Sequence, residues 1–168
     1  MKKMIVYPIL GLVLLIGILS FTHFEINKKI KINAPAETVW STIIDFDSYS
    51  EWNSQLEYID GDVKPNGWLH LKLSVEGAEP YEFKPIISRW EENKSFAWLA
   101  RTGLPRVFDG EHFFDLEKID RNTTLLTNRE EYRGVLSLVI KNLPMMKNAP
   151  AGFKKMNTEL KTYIENEK

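Results

Sequence analysis

The chain has no cysteine, which excludes disulfides, thiolate nucleophiles and thiolate metal sites together. It has little net charge: 22 Lys and Arg stand against 23 Asp and Glu, a balance of −1. No basic run exceeds two residues, so the dense cationic footprint of a nucleic-acid binder is missing. There is no Gly-x-Ser-x-Gly elbow for a serine nucleophile, and the three histidines, His23, His70 and His112, lack metal-ligand spacing. Neither a metal nor another cofactor is expected. Repeats and low-complexity segments are also absent. What is present suffices for a folded core: 43% of the 168 residues are hydrophobic and 12% aromatic. That length fits one domain and an appendage.

From Met4 to Phe24 no Asp, Glu, Lys or Arg occurs. As a helix this run would measure about 31 Å, close to the hydrocarbon thickness of a bilayer at about 30 Å. A cleaved secretory signal also begins with a short basic leader such as Lys2-Lys3. Its apolar region is shorter, however, and ends on small residues, unlike Ile18-Leu19-Ser20. The expectation is a single-pass anchor over residues 1–24 and a domain over 25–168. Lys2 and Lys3 on one side oppose Lys28, Lys29 and Lys31 on the other, so the positive-inside rule divides evenly. The short basic leader favours an outward-facing domain on the cytoplasmic membrane.

Beyond the anchor, Phe24, Ile26, Ile30 and Ile32 share one parity and Glu25, Asn27, Lys29 and Lys31 the other, the period of a half-buried strand. Asn33-Ala34-Pro35-Ala36-Glu37 opens a short helix to about Ile44, and a second helical piece ends near Trp52-Asn53. Strand patterns follow at Leu56–Ile59, Trp68–Val75, Tyr81–Glu92, Phe96–Arg101, Phe108–Ile119 and Thr123–Tyr132, giving about seven strands. After Gly134 the period is helical again. Pro144 and Pro150 interrupt it, and Phe153, Met156, Leu160, Tyr163 and Ile164 form the stripe of a terminal helix of about four turns. Antiparallel strands with segregated helices define an α+β fold.

Particular residues carry a likeness. Ile32-Asn33-Ala34-Pro35-Ala36-Glu37-Thr38-Val39-Trp40 with Asp45-Phe46 and Tyr49-x-x-Trp52-Asn53 resembles the opening of the polyketide cyclase/START-related superfamily, the SRPBCC or START/Bet v 1-like helix-grip domains. Gly103-Leu104-Pro105, Phe108-Asp109-Gly110-Glu111-His112, Glu130-Glu131-Tyr132-x-Gly134 and Ala151-Gly152-Phe153-x-x-Met156-Asn157 continue it in order. The resemblance implies a curved antiparallel sheet gripping the terminal helix, with an elongated cavity between them for an apolar molecule. It implies no single activity, since such domains include lipid and quinone carriers as well as cyclases.

If Asp120-Arg121-Asn122 closes a three-residue hairpin, Ile119 faces Thr123, Leu116 faces Leu126, Phe114 faces Asn128 and His112 faces Glu130. A shift of one residue would turn the whole set to the other face. His112, Glu130, Phe114, Asn128, Tyr132 and Trp98 are therefore candidate ligand-binding residues on the interior face. Arg101 is a further candidate, able to pair with Glu111 or a ligand anion. Trp40, Trp52, Trp68 and Trp90 read mainly as core, and Met145-Met146 as either a lid or a surface loop. The functional expectation is a membrane-anchored domain binding a lipid, isoprenoid or polyketide-like molecule. The alternatives are a cyclase or dehydratase in which His112 with Glu130 moves a proton, and a protein-interaction module.

Overall fold

The computed structural model describes Gly11, Gly17, residues 21–75 and residues 79–166. Most of the expected anchor over residues 1–24 lies outside the described residues, and its last two, His23 and Phe24, belong to the first strand. Among those described, no helix is long and apolar enough to cross a membrane.

Among the described residues, eight strands and four helices follow one another. β1 (His23–Ile32) leads into α1 (Ala36–Ile44), a 3-10 turn (Phe46–Ser48) and α2 (Tyr49–Trp52). Then come β2 (Leu56–Gly61), β3 (Leu69–Leu73), β4 (Tyr81–Phe83), β5 (Ile86–Glu91), β6 (Ser95–Thr102), β7 (Phe108–Lys118) and β8 (Thr124–Arg133). The chain closes with α3 (Ser137–Ile140) and α4 (Pro144–Asn166). The strands make a five-stranded antiparallel sheet, β1-β8-β7-β6-β5, and a three-stranded one, β2-β3-β4. A bridge between Trp68 and Ile86 joins them.

The expected run Tyr81–Glu92 divides into β4 and β5 at Lys84-Pro85, which raises the count from about seven to eight. Proline has no N–H to give to a ladder, so the chain changes sheets where Pro85 falls. Its carbonyl still accepts from the Leu69 N–H at 2.9 Å.

Pro150 does not interrupt the last helix, which runs unbroken for 23 residues with Pro150 inside it. Met145 and Met146 thus belong to its first turn rather than to a lid or loop. Apolar burial along α4 begins only at Phe153 and continues through Met156, Leu160 and Ile164. Those four lie three or four residues apart, on one side of the helix. They cover the concave face of the larger sheet, and Met156, Leu160 and Ile164 join Ile32, Phe96, Phe114 and Leu126 in one hydrophobic core. α1 seals the other end with Val39, Trp40 and Ile43. The Trp40 ring meets Trp90 edge-on at 5.6 Å.

Candidate functional site

The β7–β8 hairpin fixes the site. Its turn closes as the spacing requires, with the Ile119 N–H donating to the Thr123 carbonyl at 3.0 Å. From there the register places Leu116 beside Leu126, Phe114 beside Asn128 and His112 beside Glu130. β6 and β1 extend the same rows, so Trp98 flanks His112 and Ile26 flanks Glu130. Strand alternation turns these side chains toward α4.

His112 is the centre of the arrangement, with only 5% of its surface exposed. Its ring stacks on Trp98 at 4.6 Å and on Phe153 of α4 at 5.1 Å, and Phe114 lies tilted at 4.8 Å. Nδ1 sits 3.6 Å from Glu130 Oε2. The same oxygen accepts the Tyr132 hydroxyl proton at 2.8 Å. Burial, then the Glu130 charge and hydrogen bond, drive the Tyr132 pKa above its ordinary value, so the phenol remains a donor. Tyr81 of β4 is raised too, by burial first and Glu130 second, which brings β4 within electrostatic reach of the carboxylate.

Gly110 makes room for this group. A Cβ at that position would lie 3.0 Å from Glu130 Oε1 and 3.5 Å from the Tyr132 ring. Phe24 and Phe108 stack on Tyr132 at 4.7 and 5.7 Å.

One row away, Asn128 is fully buried. Its amide donates to Asn157 Oδ1 at 2.9 Å and approaches Met156 Sδ at 3.4 Å. Asn157 in turn donates to the Lys28 carbonyl at 3.2 Å, tying α4 to β1. Among the described residues, the buried side-chain atoms without a hydrogen-bond partner include His112 Nε2 and Asn128 Oδ1 here, and Trp52 Nε1, Asn53 Nδ2 and Asp109 Oδ1 elsewhere. Leaving a buried donor or acceptor unmet costs about 1–3 kcal/mol, so such atoms mark places where a ligand group would be welcome.

Six of the seven sequence candidates, His112, Glu130, Phe114, Asn128, Tyr132 and Trp98, thus converge on one interior. Arg101 does not join them. It pairs across the strands with Asp109, on the opposite face from Trp98, and its guanidinium lies 3.6 Å from Asp109 Oδ1. Glu111 instead meets Arg133 at 3.3 Å. Phe153, Asn157 and Tyr81 were not among the candidates. The signal for Asn157 was present, as it is the polar member of the buried α4 stripe.

Two concavities among the described residues lie elsewhere. One, of about 420 Å³, is lined by Glu51, Trp52, Thr158, Glu159, Thr162 and Tyr163, where α2 meets the end of α4. The other, of about 270 Å³, is lined by Phe21, His23, Arg106, Glu131 and Arg133. The elongated cavity implied by the family likeness is not one of them. Phe153, stacked on His112, occupies the space against the sheet. Among the described residues, no cluster of His, Asp and Glu is arranged to hold a metal ion.

Solved structures share this architecture. A START superfamily protein from Mycobacterium smegmatis is 21% identical and superposes with a TM-score of 0.67, covering 88% of this chain and 100% of that one. Norcoclaurine synthase from Thalictrum flavum, solved with dopamine and hydroxybenzaldehyde, is 15% identical with a TM-score of 0.67, covering 89% of this chain and 91% of its own. At these identities the likeness establishes the fold alone. No curated protein sequence matches significantly. The family model described as polyketide cyclase/dehydrase and lipid transport matches residues 23–165, nearly all of the domain. The chain belongs to that polyketide cyclase/dehydrase and lipid transport family.

Proposed function

We propose that the domain binds an apolar small molecule with one polar end, a lipid, isoprenoid or polyketide-like compound, seated between the sheet and α4. One observation carries this reading: the unmet Nε2 of His112, buried between the faces of Trp98 and Phe153. A ligand hydroxyl or carbonyl reaching that nitrogen would satisfy it, while the aromatic walls take the apolar body. Asn128 Oδ1 offers a second acceptor one row away. Phe153 is the side chain to displace on entry, because α4 buries nothing ahead of it.

The uncharged run Met4–Phe24 adds the source. Read as a single-pass anchor with the domain outside, it holds β1 at the headgroups and supplies ligand from the bilayer. Native mass spectrometry of the full chain extracted from its own membrane should show a co-purified apolar ligand. An empty protein that also fails to bind a short-chain quinone or a lysophospholipid would sink the reading.

The hydrogen bond from Tyr132 to Glu130 favours a second reading, a cyclase or dehydratase that moves a proton through Glu130 and His112. His112→Ala would then abolish turnover of the bound compound while preserving its affinity. Parallel loss of both returns the pair to a binding role.

A further inference from the structure

Among the described residues, several exposed apolar side chains gather at the opposite end of the sheet from the β7–β8 turn. Leu138 and Val139 on α3, Leu143 in the link after it and Met145 at the start of α4 are exposed by 42, 64, 41 and 36%. Leu104 in the β6–β7 loop and Phe21 ahead of β1 are each 74% exposed. Backbone hydrogen bonds stitch the three segments into one surface. The Gly134 N–H donates to the Thr22 carbonyl, the Val135 N–H to Arg106 and the Leu136 N–H to Val107, each at 3.0 Å. The Thr22 hydroxyl donates to the Gly134 carbonyl at 2.9 Å and meets Ser137 Oγ at 2.8 Å.

Charge on α3 and the start of α4 is positive, while Glu131 stands beside Arg133 and Arg106 at the rim of this surface. From Tyr132 to Thr158 the chain carries Arg133, Lys141, Lys147, Lys154 and Lys155 and no Asp or Glu. The loop adds Arg106, whose guanidinium lies 5.5 Å from the centre of the Phe21 ring. Exposed Leu, Val and Met side chains beside Lys141 and Lys147, on a stretch free of carboxylates, match the boundary between acyl chains and anionic headgroups. Thr22, pinned to α3, is also where the uncharged run Met4–Phe24 enters the domain.

We propose that this end of the domain, formed by α3, the start of α4 and the Leu104 loop, docks on an anionic phospholipid bilayer with Val139, Leu104 and their apolar neighbours below the headgroups. The choice of a bilayer rests on the anchor reading above as well as on the charge of the surface. Docking puts the exposed first turns of α4, which lead to Phe153, against the lipid.

The absence of cysteine allows the test on the full chain. Single replacements Val139→Cys, Leu104→Cys and Asn122→Cys, the last in the turn at the far end of the sheet, are spin-labelled. The protein is then reconstituted in vesicles of phosphatidylcholine and phosphatidylglycerol. Paramagnetic resonance with oxygen and a water-soluble nickel relaxant reads depth. Labels at Val139 and Leu104 should show an oxygen-to-nickel accessibility ratio several-fold above that of Asn122. Equal ratios at all three sites, in a chain that still co-sediments with the vesicles, overturn the docking face and leave the anchor standing. Shielding of Val139 from both relaxants marks a protein contact and also overturns it. A chain that does not co-sediment overturns docking and anchor together.

Discussion

The two faces of the five-stranded sheet solve the problem of polar groups in opposite ways. On the outer face Arg129 donates to Asp115 at 2.7 Å and to Glu131, and its guanidinium lies 3.8 Å from the centre of the Phe113 ring. Arg133 bonds Glu131 and Glu111. On the inner face one carboxylate serves Tyr132 and His112, and a ring nitrogen and an amide oxygen are left over, whereas the unbonded Asp109 Oδ1 of the outer face still lies 3.6 Å from the Arg101 guanidinium. A surface selected for stability alone has no reason to retain the second arrangement, because an apolar core would cost less. The difference makes the concave side the first place to test for binding.

Substitutions on the two faces should therefore separate. The largest effect belongs to Phe114→Ala, which empties a fully buried site against Trp98 and His112. It should cost about 3–5 kcal/mol of unfolding free energy in urea titration. Arg129→Met on the outer face should cost about 1–2 kcal/mol, since partial exposure weakens its ion pairs.

The same variant tests a pH effect. Burial would raise the Glu131 carboxyl, but the bonds to Arg129 and Arg133 outweigh it and hold the group below its usual value of 4.5. Its folded value lies below the unfolded one, so its stabilisation is present above about pH 4.5 and fades as pH falls through the folded value. The urea midpoint should drop further between about pH 6 and pH 3 in the native protein than in Arg129→Met.

His112→Phe keeps the stack and removes the unmet nitrogen. Stability should change by less than about 1 kcal/mol, while affinity for the co-purified ligand should fall about tenfold or more. If affinity holds, the inner face is not the binding surface. The smallest shift is expected from Gly110→Ala. The lower chain entropy of alanine in a strand, about 0.5–1 kcal/mol, is offset by the 3.0 Å approach to Glu130 Oε1, leaving stability nearly level. A changed ligand affinity in that variant would show that the carboxylate position matters.

The inner face was legible because one turn set everything behind it. Once Asp120-Arg121-Asn122 closes the hairpin, strand periodicity alone carries His112 to Glu130 and Phe114 to Asn128. Arg101 was misplaced although parity argued otherwise, being an odd number of residues from the inward Trp98. What strand periodicity could not supply was the depth at which α4 lies on the sheet. Phe153 and Asn157 reach His112 and Asn128 through the packing of α4 on the sheet, which local pattern does not encode, and the helix runs on through Pro150, which local propensity reads as a break. Nor does parity say that the interior is filled at Phe153 rather than hollow.

β1 pairs along its whole length with β8, from His23 beside Arg133 to Ile32 beside Thr124. The first strand to leave the ribosome thus waits for the last strand before its ladder can form. Closing contacts so distant in sequence is slow, on the order of milliseconds to seconds for sheet-dominated domains. During that interval β1 stands with open hydrogen-bonding groups, and the lysines at positions 28, 29 and 31 discourage its pairing with a neighbouring chain.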